Sequence, residues 1–251
     1  MTFPVTSREV YTQNFIMEAV CQVRFPRLLE IESQVPAKFQ RTLLPDFPLL
    51  ASREQFGISF GQVGGDASTP MPTRTTVYDF RTSDGNVTVA LCSEYVSIVM
   101  GKYVDWTTLR TYMVKALGAA AECYGIPIFT RLGLRYVNVI PQIAEKWDEV
   151  LNPCLVGPLA TVDMSSVRAW QSASSFSMGN ARQLNMMASL GDAGTPSFVL
   201  DLDIFSTSGG VFDVEAVATS FDEMNAQATD AFNWAKGPRL EQALHGAATD
   251  V

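Results

Sequence analysis

The chain has 251 residues, of which 47% are apolar and 18% charged, and its 18 basic and 26 acidic side chains leave a formal net charge of −8. This acidic balance opposes loose binding to nucleic acid or an anionic membrane, so neither is an expected partner. The longest apolar runs fall far short of the roughly 20 residues that a membrane span needs. The N-terminus has no basic segment followed by an apolar one, which predicts a cytoplasmic protein.

The positions of the cysteines and of the single histidine limit the catalytic and metal sites to be expected. Cys21, Cys92, Cys123 and Cys154 are widely scattered, which is typical of reduced core thiols rather than a metal or redox site. The only histidine, His245, lies in a C-terminal tail that we expect to fray. Catalytic triads, Cys–His pairs and histidine-ligated zinc all need a firmly held imidazole, so none is expected. No cofactor is predicted, and a binding protein is favoured over an enzyme.

The first half of the chain is predicted to form several strands, one short helix and one long helix. Five segments have strand-like apolar patterns: 14–26, 53–60, 77–80, 86–92 and 94–100. A short helix is predicted over 33–44, and the Gly/Pro-rich stretch 61–73 is predicted to be a mobile loop. A long helix begins after Asp105, a capping residue, and ends at Gly125.

The second half follows the same plan. Four segments are predicted strands: 131–141, 167–178, 181–190 and 196–205. A helix is predicted over 142–152, and a long helix starts at Asp213 and ends near Gly237.

This order predicts an α+β fold in a single domain, residues 1–251. Its centre is a curved antiparallel sheet of roughly eight to ten strands, with the long helices packed on its convex face. Two pseudo-equivalent β-α-β(3-4)-α halves, 10–126 and 127–247, build the sheet. The repeat is one of topology, because the residues of the two halves are not visibly similar.

Three short motifs carry a resemblance to a known family. They are E-A-x-C-x-x-R-F at Glu18 to Phe25, Y-x-x-W at Tyr103 to Trp106, and G-L-R-Y-x-N at Gly133 to Asn138. In this order they resemble a sporadically distributed, uncharacterised prokaryotic family, and the element order resembles a duplicated TATA-binding-protein-like, or helix-grip, topology. The resemblance implies no known activity. Patchy distribution of this kind is associated with defence or toxin–antitoxin loci.

Arginines on predicted strands supply the first candidate site. Arg131 and Arg135 share one face of the strand 131–141, and Arg24 lies near the end of the first strand. If the leading strands of the halves are neighbours, the three guanidinium groups would form a site for an anionic ligand, with Asn138 as a further ligand-binding candidate. Alternatively, the arginines pair with carboxylates such as Glu18 and Asp201, and Asn138 is a buried hydrogen-bonding residue.

Asp201 and Asp203 form a weaker alternative site. Both carboxylates lie on one strand face, where they would hold Mg²⁺ while the arginines hold a phosphate. The competing interpretation is the polar half of an ordinary alternating strand. Two functions therefore follow from the sequence. The first is a non-enzymatic binding or regulatory protein with a protein partner, and the alternative is a sensor or enzyme for an anionic small molecule or nucleotide.

Overall fold

A large antiparallel sheet organises the chain. The computed structural model describes residues 3–6, 9, 11–63, 66–163, 166–191 and 197–246, with the backbone alone for 57–63 and 66–73. The strands are β1 Ile16–Arg24, β2 Leu49–Val63, β3 Asp66–Arg81, β4 Val87–Cys92, β5 Tyr95–Met100, β6 Ile128–Phe129, β7 Arg131–Pro141, β8 Gln171–Gly179, β9 Arg182–Gly191, β10 Ser197–Ser206 and β11 Gly210–Val211. Within this described part, nine of them form one sheet in the order β2-β3-β4-β5-β1-β7-β10-β9-β8, while β6 and β11 pair separately.

The leading strands of the two halves lie side by side at the centre of the sheet. β1 and β7 are antiparallel neighbours, flanked by β5 and β10 respectively. Side chains alternate between faces along each strand. On β1, Ala19, Cys21 and Val23 are fully buried beneath the helices, whereas the residues between them are partly exposed on the opposite face. The predicted α+β fold with a large antiparallel sheet is confirmed.

Two long helices cover the buried face. The helices are α1 Leu29–Ser33, α2 Ala37–Leu43, α3 Trp106–Tyr124, α4 Trp147–Val150, α5 Pro153–Val156, α6 Val214–Ala235 and α7 Pro238–Leu244. α3 packs on β5 and on α6, which itself packs on β7 and β10. One continuous cluster of buried apolar side chains joins the sheet to these helices. None of the described helices is both long and apolar enough to cross a membrane.

Capping residues set the ends of both long helices. The carboxylate of Asp105 accepts a hydrogen bond from the Thr108 N–H at 2.7 Å, and that of Asp213 accepts one from the Ala216 N–H at 2.8 Å. These bonds satisfy amides that have no partner within the helix. Gly125 ends α3 in the left-handed region, at φ +57°, where a side chain would be strained.

Three predicted segments differ from the structure. Of the helix expected over 33–44, only α2 forms, preceded by the separate short helix α1, and the helix expected over 142–152 is reduced to the short helix α4. The loop predicted over 61–73 is strand wherever the structure describes it, because β2 and β3 form one long hairpin. Prolines are tolerated in β3 because its segment 66–77 pairs only with β2, leaving one side without a ladder.

The four cysteines occupy different environments. All are free; Cys21 and Cys92 are buried, Cys123 is half-buried and Cys154 is exposed. Burial raises the pKa of the Cys21 thiol far above its usual range, so this thiol is chemically inert. The prediction of core thiols was wrong for Cys154, which lies exposed in the short helix α5.

Candidate functional site

The predicted arginine row lies on the open face of the sheet. Arg24 and Arg131 are direct cross-strand partners on β1 and β7, whereas Arg135 is opposite Val20. Arg135 is four positions after Arg131 on the same strand, which corresponds to about 13 Å along the backbone. The neighbouring leading strands therefore bring two of the three guanidinium groups together, and the third lies further along.

Each arginine of the row has a carboxylate partner. Arg24 contacts Glu94 at 3.0 Å, Arg131 contacts Asp203 at 3.5 Å, and Arg135 contacts Asp201 at 2.6 Å. These pairs offset the repulsion between like charges that lie directly opposite each other. The hydrogen bonds that Arg135 donates to Asp201 raise the pKa of Arg135, and the nearby charge of Glu18 acts in the same direction.

Gly133 explains the orientation of Arg131. The guanidinium of Arg131 lies along β7 over Gly133, where an added Cβ would be 2.6 Å from Nη1. It also lies over the ring of Phe205, 4.6 Å from the ring centroid. Phe205 is the cross-strand partner of Gly133 on β10. This cation–π contact and the Asp203 pair hold Arg131 against the sheet.

The two aspartates face the same way but are engaged with the arginines. Asp201 receives three hydrogen bonds from Arg135, and Asp203 pairs with Arg131. Burial raises the pKa of Asp203, although the charge of Arg131 opposes this shift. Neither aspartate belongs to a group of three potential metal-ligand side chains in the described part of the chain.

Asn138 lies on the other face of β7, in contact with a cavity. It is 2% exposed, and its Nδ2 donates to the Leu200 carbonyl at 3.1 Å. Because a carbonyl can only accept, this bond orients the amide and leaves Oδ1 as an acceptor. Asn138 forms part of the cavity wall.

The cavity lies between the sheet centre and the helices and has a volume of about 490 Å³. This is within the range of about 300–1,000 Å³ that is usual for small-molecule sites. Its aromatic walls are Tyr11, Phe15, Tyr103, Trp106, Tyr136 and Phe232. Its neutral polar groups are Gln13, Asn14, Thr107, Asn138, Asn225 and Thr229. The only charged residues among the described ones that line it are Glu9 and Asp105.

Hydrogen bonds across the helix layer fix the walls of the cavity. The Tyr136 hydroxyl donates to Asn225 Oδ1 of α6 at 2.9 Å. Trp106 Nε1 and Arg110 Nε of α3 both donate to Asp222 of α6, at 2.8 and 3.0 Å. The central strand and the two long helices therefore hold the walls in one geometry.

Residues of the N-terminal segment line one side of the cavity before the chain enters β1. The Thr12 and Gln13 amides donate to the Leu244 carbonyl of α7 at 3.1 and 3.2 Å. Asn14 Nδ2 donates to the Tyr103 carbonyl at 3.2 Å. The segment thus ties the end of the chain to the region before α3 and forms one rim of the cavity.

Tyr103 and Tyr136 supply neutral hydroxyls to the cavity. Their rings meet edge to face, with centroids 5.6 Å apart. Burial raises the pKa of Tyr103 to about 12, an effect that its contact with Tyr136 partly offsets. Burial also raises the pKa of Tyr136 well above its ordinary value. At neutral pH the two groups therefore offer hydrogen bonds and no charge.

The raised pKa of Tyr103 predicts a loss of stability at alkaline pH. Its hydroxyl ionises more easily in the unfolded chain, so the free energy of unfolding is fully retained below pH 10 and falls as the pH rises towards 12. A Tyr103→Phe variant should lose less over this interval, by up to about 2 kcal/mol. Urea unfolding of both proteins at pH 9, 10 and 11 measures the difference. Parallel pH dependences would contradict the prediction.

Two of the three sequence motifs meet at this cavity. Tyr103 and Trp106 belong to the Y-x-x-W motif, and Tyr136 and Asn138 belong to G-L-R-Y-x-N. In comparisons with known proteins, no family model matches the chain, and neither does any curated protein or solved structure. The predicted family membership therefore stays a prediction.

Sequence reasoning found Asn138 but not the cavity around it. An amide on the apolar face of a strand was the available signal, and the cavity partners are distant in sequence. Tyr11, Asn225 and Phe232 come from the two ends of the chain and meet Asn138 only in the folded structure.

Proposed function

We propose that this chain is a small-molecule-binding protein and that its ligand occupies the cavity between the sheet and the long helices. The observation that carries the proposal is the cavity itself: a space of about 490 Å³ whose wall combines aromatic rings with the almost fully buried amide of Asn138. Apolar and aromatic walls with a few placed polar groups are typical of small-molecule sites. The Asn138 amide oxygen would accept a hydrogen bond from a ligand donor.

The lining favours a neutral or cationic ring compound over an anion. Aromatic rings bind planar groups and attract cations through their faces. Asn138 and Asn225 provide amide groups for a ligand that carries both a donor and an acceptor. Glu9 and Asp105, together with the net charge of −8, would repel a carboxylate or a phosphate.

The arginine row supports an anionic ligand less well. The three guanidinium groups already have carboxylate partners, so an anion would have to displace Glu94, Asp201 or Asp203. This displacement costs the energy of the existing pair and leaves a carboxylate near the anion. The arginines are better explained as cross-strand pairs that stabilise the sheet.

Three ring compounds of matched size test the proposal. Benzamide is neutral, benzamidine is cationic and benzoate is anionic, while the ring is the same in all three. Saturation-transfer NMR and thermal unfolding should detect benzamide and benzamidine, and benzoate should bind most weakly. A compound present at a hundredfold its Kd would stabilise the fold by about 2.7 kcal/mol.

Two variants show whether the compounds bind in the cavity or at the arginine row. Asn138→Leu should abolish the benzamide signal, since it removes the acceptor in the cavity, whereas Arg135→Gln on the open face should leave it unchanged. Preferential binding of benzoate that Arg135→Gln removes would overturn the proposal in favour of the arginine row. Failure of all three compounds to bind would count against a cavity for neutral ring compounds.

The protein partner and the accessory-system role that follow from the sequence remain predictions. They concern surfaces outside the cavity, and the described residues favour no face of the sheet for such a partner. Copurification of the tagged chain with products of neighbouring genes would test them independently of the cavity.

A further inference from the structure

Three potential metal ligands from opposite ends of the chain meet beside the cavity, whose wall includes Glu9 and Leu244. They are Glu9 of the N-terminal segment, Glu241 of α7, and His245, which directly follows α7. One ligand atom from each lies within 4.8 Å of the other two. Imidazole and carboxylate groups together are a typical donor set for zinc and related ions.

The distances within this cluster are close to those of a coordination shell. His245 Nε2 is 3.4 Å from Glu9 Oε2 and 3.9 Å from Glu241 Oε1. In a tetrahedral site with bonds of about 2.1 Å, neighbouring ligand atoms are about 3.4 Å apart. A movement of the Glu241 side chain towards His245 and Glu9 would bring the three atoms to a common ion. Glu241 and His245 are four residues apart, so both project from the same side of one helical turn.

Neighbouring residues hold His245 and the N-terminal segment in position. The ring of Tyr11 packs edge to face against the His245 imidazole, with centroids 5.3 Å apart. The backbone bonds from Thr12 and Gln13 to Leu244 fasten the N-terminal segment to the end of α7. The His245 ring and the backbone of the N-terminal segment are therefore held before any ion binds, which lowers the cost of binding.

Lys236 lies beside the cluster and weakens the binding of any ion held by charge alone. Its ammonium group lies 2.9 Å from Glu241 Oε1, and its positive charge opposes any cation. A purely electrostatic ion such as Ca²⁺ or Mg²⁺, which prefers all-oxygen ligands, is therefore disfavoured. A transition metal that bonds strongly to imidazole is better matched to this donor set.

We propose that Glu9, Glu241 and His245 bind one divalent transition-metal ion of the zinc class, with water completing its coordination. The three side chains are each between 41% and 47% exposed, so water reaches the cluster. The bound ion would link the N-terminal segment to α7 beside the cavity. This role differs from the expectation that the only histidine lies in a fraying tail.

Calorimetric titration of the metal-free protein with ZnCl₂ tests the site. The wild-type chain should bind one ion tightly. Glu9→Gln, Glu241→Gln and His245→Gln should each weaken binding by at least about tenfold, since even outer-shell partners of metal ligands are worth this much. Zinc should also raise the unfolding temperature of the wild type and not that of His245→Gln.

Two control variants distinguish this cluster from other donors. Cys154 is an exposed thiol, and Cys154→Ser should bind zinc as the wild type does. Glu149 pairs with Arg239 of α7 but lies outside the cluster, so Glu149→Gln should also retain binding. The proposal is overturned if the wild type binds no zinc, if Cys154→Ser removes the binding, or if Glu9→Gln and His245→Gln bind like the wild type.

Discussion

Enlarging Ala228 to leucine and then to phenylalanine is expected to weaken the binding of benzamide stepwise while the chain stays folded. Ala228 lies on α6, is 2% exposed and forms part of the cavity wall. A larger apolar side chain here enters existing space, so it reduces the room for a ligand without the strain of overpacking. We expect benzamide affinity to fall at least about tenfold in Ala228→Phe, a loss of about 1.4 kcal/mol.

Ala216→Phe is the matched control for this series. Ala216 is exposed in the first turn of the same helix, so the substitution carries the same helix-propensity cost of a few tenths of a kcal/mol without touching the cavity. NMR titration measures the affinity of each variant, and urea unfolding measures its stability. Equal benzamide affinities in Ala228→Phe and the wild type would show that the ligand binds elsewhere.

Replacing Trp147 by alanine should cause a large loss of stability. The indole is fully buried, and its centroid is 5.5 Å from that of Phe198 on β10. It anchors the irregular connection between β7 and β8 to the core. Removing the ring leaves a cavity that the surrounding structure fills only in part, so the free energy of unfolding should fall by about 3–5 kcal/mol.

Trp147→Phe separates the packing of this ring from its polar atom. The buried indole Nε1–H has no hydrogen-bond acceptor among the described residues. Phenylalanine removes this unpaired donor and keeps most of the contact with Phe198, so its loss should be only about 1 kcal/mol. Urea unfolding monitored by circular dichroism compares the three proteins. Equal losses in the two variants would mean that the N–H is paired in solution.

The sequence was enough to predict which strand face each candidate side chain occupies, but not the position of the cavity. Strand alternation correctly predicted that Arg131 and Arg135 share one face and that Asn138 lies on the other. It could not show that Arg131 extends over Gly133 to reach Asp203, because this depends on the register between β7 and β10. The cavity is a property of the space between layers, which no local pattern describes.

The sequence by itself determined the elements whose stability is local or periodic. Alternation of apolar and polar residues predicted β1 and β7, and the capping residues Asp105 and Asp213 predicted the starts of the long helices. Both signals act within a few residues of the chain. Only the tertiary structure decided three other features: the long β2–β3 hairpin, the short helix at Trp147 and the contact between Glu9 and His245. Their stability comes from pairing and packing between distant segments, which local propensity cannot outweigh.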